Sequence, residues 1–304
     1  MNRPTTRKLK ENQHHLLPNT DFWAHKNRQL ARPFTDLIDR YFLNEKIRKK
    51  IEILKKENPG LIVGETHCHS TYSDGLHSIQ SIIYRASLLG LDYVAITDHL
   101  LPGKYTIESF IKSLGEQIRY INEWDQSNNP PKVYPAFEIS TLEGHLVLVF
   151  DPVYLSPKKV SDISLQFSDF NYQFTSMLDI IARIAPFGGI SIVAHPNKKR
   201  AYPFGASIKW VKENLIGLID GIEDISSGHG YQENYSNELG IAATGSSDDH
   251  FNLLMGTAIT AYNGNTHNNL ITAIKSKETR AITVDNSMQA LLKLTTQTHN
   301  LVMS

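Results

Sequence analysis

Four apolar runs in this 304-residue chain each lead into a histidine or a histidine-carboxylate pair. Leu61-Ile62-Val63 leads through Gly64-Glu65-Thr66 to His67-Cys68-His69, and Tyr93-Val94-Ala95-Ile96 leads to Thr97-Asp98-His99. Ile190-Ser191-Ile192-Val193-Ala194 runs into His195-Pro196, and Ile241-Ala242-Ala243-Thr244 runs through Gly245-Ser246-Ser247 into Asp248-Asp249-His250. Short apolar runs of this kind read as buried strands. Side chains alternate between the two faces of a strand, so His67 and His69 project together while Cys68 points away. Asp248 and His250 form a second pair of the same kind. Strands that carry metal-ligand residues to their ends demand a fold in which those ends converge.

Three further positions extend the set. Asp74 sits in the turn signal Ser73-Asp74-Gly75. Glu138 lies inside the apolar run Tyr134-Pro135-Ala136-Phe137-Glu138-Ile139-Ser140, where a carboxylate is costly without a partner. His145 precedes the buried-strand run Leu146-Val147-Leu148-Val149-Phe150. Imidazole and carboxylate without thiolate suit Zn2+, Mn2+ or Fe2+, and such mixed sites are typical of catalytic zinc. Two cations about 3.5–4 Å apart lower the pKa of a shared water and clamp both oxygens of a transferring phosphoryl group. Phosphoester hydrolysis is the chemistry that follows.

In this order the motifs resemble those of the PHP domain, the polymerase and histidinol phosphatase superfamily: His-x-His, Ser-Asp-Gly, Thr-Asp-His, a glutamate, a histidine, Ala-His-Pro and a late Asp-x-His. The resemblance spans roughly residues 61–262 and implies an α/β fold, a distorted (β/α)7 TIM-like barrel, here with an N-terminal helical extension. It implies one metal on His67, His69, Glu138 and Asp248, and a second on Glu138, His145 and His195, with Glu138 bridging. A third would rest on Asp74, His99 and His250, which are also the residues expected nearest the chemistry. Many relatives carry histidine where this chain has Asp74. Asp248 rather than Asp249 is read as the ligand, because Asp-x-His keeps both side chains on one face.

Substrate contacts are expected in the loops beyond the strand ends, where barrel enzymes place their sites. Lys198, Lys199 and Arg200 follow His195 directly and suit a phosphate. His229, in the glycine loop Ser226-Ser227-Gly228-His229-Gly230, is a second substrate-binding candidate, in reach of a leaving oxygen. Lys104, just past His99, is a third. His14, His15, His25, His77, His267 and His299 sit in polar or unpatterned surroundings and are read as surface residues.

The remaining pattern alternates as a barrel should. Helices are expected over 78–89, 107–124, 177–185, 208–215 and 270–275, and 153–172 is free to form a small cover. Before the barrel, the division 1–60 and 61–304 is marked by charge. Residues 1–60 hold 14 Lys and Arg against 7 Asp and Glu, although the whole chain is neutral. A basic extension opposite an acidic barrel predicts mutual attraction, in this chain or in a homo-oligomer. Apolar residues from Phe34 to Leu54 recur at helical spacing and stop at Asn58-Pro59-Gly60. Nucleic acid is the less favoured partner, because no aromatic stacking pattern accompanies the basic residues.

One cysteine excludes an intramolecular disulfide, no run approaches the ~20 apolar residues of a membrane helix, and the first residues lack an apolar signal segment; a cytoplasmic protein is expected. Only 49 residues separate His145 from His195, too few for the large domain that RNA-degrading PHP relatives insert there. The expected enzyme is a stand-alone hydrolase with two or three divalent ions. It would cleave a small phosphomonoester or nucleotide-type phosphoester with a metal-activated hydroxide. Two alternatives are an amidohydrolase-type enzyme cleaving a C–N bond and a metal-bound module that only binds a partner through its basic helix. The first lacks a lysine at a strand end to serve as a carbamylated bridge.

Overall fold

Residues 44–123, 130–153, 155–170, 173–197 and 205–286 are described in the computed structural model of the chain. The first described element is α1 (Asn44–Glu57), which buries Ile47 and Ile51 and stops at Asn58-Pro59-Gly60 as its sequence predicts. Then come β1 (Leu61–Glu65), α2 (Ile79–Leu89), β2 (Tyr93–Ile96), β3 (His99–Leu100) and α3 (Ile107–Glu123). The middle holds β4 (Lys132–Ser140), β5 (His145–Val149), α4 (Pro157–Gln166), α5 (Met177–Ile184) and β6 (Ile190–Val193). After them come α6 (Ile208–Asn214), β7 (Gly221–Ser226), β8 (Tyr231–Gln232), α7 (Tyr235–Leu239) and β9 (Ala242–Ser246). The last are β10 (Ala258–Asn263), α8 (Leu270–Lys275) and β11 (Thr279–Thr283). Helix α2 shows how local sequence sets such limits: Ser78 accepts from the Ser81 N–H at one end, and Gly90 caps the other with φ 76°.

The strands form one sheet in the order β11-β10-β1-β2-β4-β5-β6-β7-β8, with β3 beside β4 and β9 beside β7. Neighbours β1–β2, β2–β4, β6–β7 and β7–β9 are parallel, whereas β1–β10, β10–β11, β4–β5 and β5–β6 are antiparallel. The sheet curls until β9 lies beside β10 and β11. There the links are side-chain hydroxyls: Thr279 Oγ1 donates to the Ala243 carbonyl at 2.7 Å and the Gly245 N–H to Thr260 Oγ1 at 2.9 Å. The architecture is thus a mixed α/β fold with a curled sheet. Its hairpin from β4 to β5 replaces a crossover helix, so the pairing does not by itself spell out seven β/α units.

Period-2 alternation assigns the two faces. Tyr93, Ala95, Tyr134, Ala136, Val147, Ile190 and Ile192 share the interior with Leu270, Ile271 and Ile274 of α8. Phe137, Ile139, Leu146 and Leu148 face outward onto α3, α4 and α5. Tyr134 accepts the Leu270 N–H at 3.0 Å, so α8 closes the end of the interior where β4 begins. Glu138 lies on the same face four residues on, roughly 13 Å toward the open end.

Two expectations are corrected. Val160, Ile163, Phe167 and Phe170 pack with Phe110 and Phe137 in the outer layer, so the described part of 153–172 is a structural helix and its flank rather than a cover. His77, read as a surface residue, is buried, because its carbonyl takes the Thr71 N–H and pins the loop after His69. His14, His15, His25 and His299 lie outside the described residues, as do positions 34–43 of the expected N-terminal helix. The described part of the basic segment packs on α2 and is tied by ion pairs to the chain's own loops, as its charge predicts. Lys46 and Lys50 reach Asp285 at 2.8 and 2.7 Å, and Lys55 reaches Asp92 at 2.6 Å. Among the described residues, no helix is long and apolar enough to cross a membrane.

Candidate metal centre

Strand ends build the centre. His67 and His69 follow β1, His99 opens β3, Glu138 sits near the end of β4, His195 follows β6, and Asp248 and His250 follow β9. His145 comes from a strand start instead. Because β5 runs antiparallel to β4, with His145 opposite Ser140, its first residue lies where β4 finishes. Asp74 arrives on the loop after His69. That loop closes tightly at Gly75, where a Cβ would stand 2.2 Å from the His69 carbonyl oxygen.

Glu138 is the hub. Its Oε1 lies 2.6 Å from His145 Nδ1 and 3.0 Å from His195 Nε2. Its Oε2 lies 2.8 Å from His99 Nδ1, 3.4 Å from His67 Nε2 and 3.6 Å from His69 Nε2. Asp248 Oδ1 lies 2.9 Å from His69 Nε2 and 3.3 Å from His67 Nε2. On the outer side, Asp74 Oδ1 is 3.4 Å from His99 Nε2 and 3.2 Å from His250 Nε2.

These contacts fit cations better than they fit one another. Glu138 Oε2, His67 Nε2, His69 Nδ1 and His195 Nδ1 are buried and make no hydrogen bond among the described residues, although Glu138 Oε2 has three imidazole nitrogens within 3.6 Å. The atoms surround shared spaces instead of pointing at each other. Four sets have ligand atoms within 4.8 Å of one another: His69-Asp74-His99-His250, His67-His195-Asp248, His67-His69-Glu138 and His99-Glu138-His145. Bonds of about 2.0–2.2 Å from a cation to N or O ligands require that kind of spacing.

Electrostatics prepare the donors unequally. Burial pushes His69 down to about 4, helped by His250 and His99, and pushes His195 down to about 3, so both are neutral at neutral pH. Burial also works against charge on His67 and His99. Asp248, Glu138 and Glu223 around His67, and Asp74 and Glu138 around His99, outweigh it and raise both. Burial likewise opposes ionisation of Glu138, Asp248 and Asp74, yet the imidazoles facing them hold all three well below the usual carboxylate range. A cation entering here would meet ionised carboxylates and two imidazoles with no proton to lose.

Four other carboxylates brace the donors, and sequence reading missed their role. Glu223 of β7 meets His67 Nδ1 at 2.8 Å and accepts the His195 N–H at 2.7 Å, turning His67 Nε2 inward. Glu65 accepts the N–H groups of Thr66, His67 and Ser247 and the Ser247 hydroxyl, tying the end of β1 to the end of β9. Asp98 accepts from Ser70, Ser73 and Ser113, fixing the loop that carries Asp74. Asp249 accepts the N–H groups of Phe251, Leu254 and Met255, so it is spent on its own loop while Asp248 faces the histidines. The signal was present: Glu223 and Glu65, like Glu138, interrupt apolar strands.

Local backbone serves the same end. The register between β7 and β9 shifts at Glu223/Ile225, a bulge beside the centre. His195 and Asp248 adopt positive φ of 26° and 47°, uncommon for side-chain-bearing residues and typical of functional sites. All nine expected ligands thus meet at one end of the sheet. His229 joins them at the edge, its Nε2 2.5 Å from Asp248 Oδ2, in a loop hydrogen-bonded to the end of β9. Lys104 stands over the Tyr105 ring at 4.8 Å, and that ring stacks on His99 at 5.7 Å. Lys198, Lys199 and Arg200 lie outside the described residues.

The resemblance read from the motifs is borne out by a family model: the PHP domain matches residues 65–139, which include His67, His69, Asp74, His99 and Glu138. PsfC from Pseudomonas syringae is similar in fold, with 14% identity over 81% of this chain and 100% of that one and a TM-score of 0.52. A two-domain protein from Bacteroides vulgatus containing a predicted PHP-like metal-dependent phosphoesterase is 16% identical over 74% of this chain and 66% of its own, with a TM-score of 0.49. Endonuclease Q, in complex with a 27-mer duplex bearing an abasic lesion, is 16% identical over 71% of this chain and 57% of its own, also with a TM-score of 0.49. No curated protein matches.

Proposed function

We propose that this chain is a metal-dependent phosphoesterase acting on a small phosphomonoester or a nucleotide-type phosphoester. In this reading the curled sheet is a distorted (β/α)7-type barrel with two or three divalent ions at its open end. The observation that carries it is Glu138, a fully buried carboxylate within 3.6 Å of five imidazoles that arrive from four separate segments. Nothing in a structural core calls for that arrangement.

His67, His69, Glu138 and Asp248 would hold one ion, Glu138, His145 and His195 a second, and Asp74, His99 and His250 a third. Bound divalent ions supply Lewis acidity toward a phosphoryl oxygen and acidify water at neutral pH. The chain's own contribution is orientation. Glu223 fixes the ring of His67, Asp248 accepts from His250 Nδ1 through its carbonyl at 3.0 Å, and Asp98 holds the Asp74 loop. Asp74, His99 and His250 stand at the more open outer side, where a phosphoryl group enters, and orient it and the attacking water. Lys198, Lys199, Arg200 and Lys104 are proposed to neutralise non-bridging oxygens.

The test is phosphate release from a panel of phosphomonoesters, phosphodiesters and nucleotides after reconstitution with Mn2+, Zn2+ or Fe2+. Metal-dependent turnover that disappears in His69→Ala is expected. Metal uptake without release from any member would overturn the reading and favour C–N hydrolysis.

A further inference from the structure

Among the described residues, His229 is the one imidazole at the centre that the ligand sets leave out. We infer that it is a positioning residue which holds the outer oxygen of Asp248, so that this carboxylate offers only its inner oxygen to a cation. The inference rests on the metal centre proposed above.

The two oxygens of Asp248 face different ways. Oδ1 is turned to His69 and His67, at 2.9 and 3.3 Å, whereas Oδ2 meets His229 Nε2 at 2.5 Å. That separation is a short hydrogen-bond distance, and shorter than neighbouring ligand atoms on one cation stand apart. His229 therefore suits the role of a donor to Asp248 better than that of a further ligand. Its ring also sets its edge against His195 at 4.7 Å and 77°, so one side chain from β7's loop touches candidate ligands that follow β6 and β9.

The loop is built to keep it there. Its Ser227 and Gly228 N–H groups donate to the carbonyls of Ser246 and Ser247 at 3.0 and 2.8 Å, continuing the β7–β9 pairing past the strand ends. Gly228 has no room for a side chain: a Cβ there would stand 2.5 Å from the Ser247 oxygen and 3.2 Å from the Asp248 oxygen. The close approach that glycine permits brings the next residue, His229, onto Asp248. Asp248 itself sits at φ 47°, a conformation that needs external support. His229 supplies it from the side-chain end while His250 binds the carbonyl.

The experiment compares wild type, His229→Ala and His229→Gln for Co2+ affinity by competition with a chelator and for the Co2+ absorption spectrum, with circular dichroism confirming the fold. Loss of a bracing donor weakens metal binding about 10–100-fold. His229→Ala is expected to show that loss at one site, and His229→Gln, whose amide N–H can replace the donor, to restore most of it with a near wild-type spectrum. Unchanged affinity and spectrum in His229→Ala would overturn the inference, as would a loss that His229→Gln fails to restore, which would mark His229 as a ligand. Wild type that takes up no Co2+ would overturn the metal centre and this inference together.

Discussion

The floor and the rim of the centre are made of the same residue types in different surroundings. His67, His69 and Glu138 are completely enclosed and His195 is 1% exposed, whereas His99, Asp74 and His250 are 11, 16 and 19% exposed. Each floor donor is held by another buried group, Glu223 behind His67 and His195, and Asp248 against His69. The rim is held by stacking, with the His99 and His250 rings on His69 at 4.3 and 4.2 Å, and by the Asp74 loop. Enclosure and bracing fix geometry in advance; exposure lets water and substrate in. In the proposed reading, the difference assigns tight metal retention to the floor and exchange with substrate to the rim.

The largest effect is expected from breaking the hub between the two. Glu138→Gln removes the charge that both regions share, and phosphate release should fall at least about 1000-fold, more than any bracing residue accounts for. Metal analysis of the same variant should show at most one ion. At the rim, His250→Ala should cost one ion and about 100-fold in turnover, the scale of one positioned catalytic group, while the floor ions stay. Loss of every ion in that variant would erase the distinction.

Bracing gives a smaller effect. Glu223→Gln should weaken metal binding about 10-fold, at the low end for a group behind a ligand, with turnover nearly restored at saturating metal. Far from the centre, Ile51→Ala opens a cavity where α1 packs and should lower stability by about 2–5 kcal/mol with turnover unchanged, since Ile51 belongs to the outer layer around β1 and α2. Reduced turnover there, at a temperature where the variant is folded, would link the N-terminal helix to the site.

The last effect concerns pH. Burial pushes Glu65 up to about 8 in the folded chain. A raised carboxyl pKa means that the folded state binds more protons than the unfolded state between about pH 4.5 and 8. The stability this group contributes is therefore present at low pH and is lost as pH rises through about 8. Glu65→Gln keeps an acceptor for the three N–H groups and a donor toward Ser247, so in the metal-free protein the variant should lose less stability than wild type from pH 5 to 9. Parallel stability curves would show that Glu65 stays ionised throughout.

The positions that meet at the centre were legible because strand alternation and strand-end placement are written locally. His67 with His69, Asp248 with His250, and the lone carboxylate in the β4 run needed no tertiary information. Motif order added His145, whose place at a strand start follows from the β4–β5 hairpin. Two of the bracing carboxylates were not read because their partners come from distant segments: Glu65 meets Ser247 and Glu223 meets His67 only once the sheet has curled. His77 was misread for the same reason, since a polar neighbourhood in sequence became a buried turn. The mixed strand pairing was hidden as well. A hairpin of four connecting residues and a crossover differ in topology, not in the apolar pattern of the strands they join.

The most direct measurement is metal content per chain by mass spectrometry during stepwise removal with a chelator, in wild type and Glu138→Gln. The account predicts two or three ions in wild type, the first leaving well before the others, and at most one in the variant. Substoichiometric metal in wild type, or equal content in the two proteins, would contradict it.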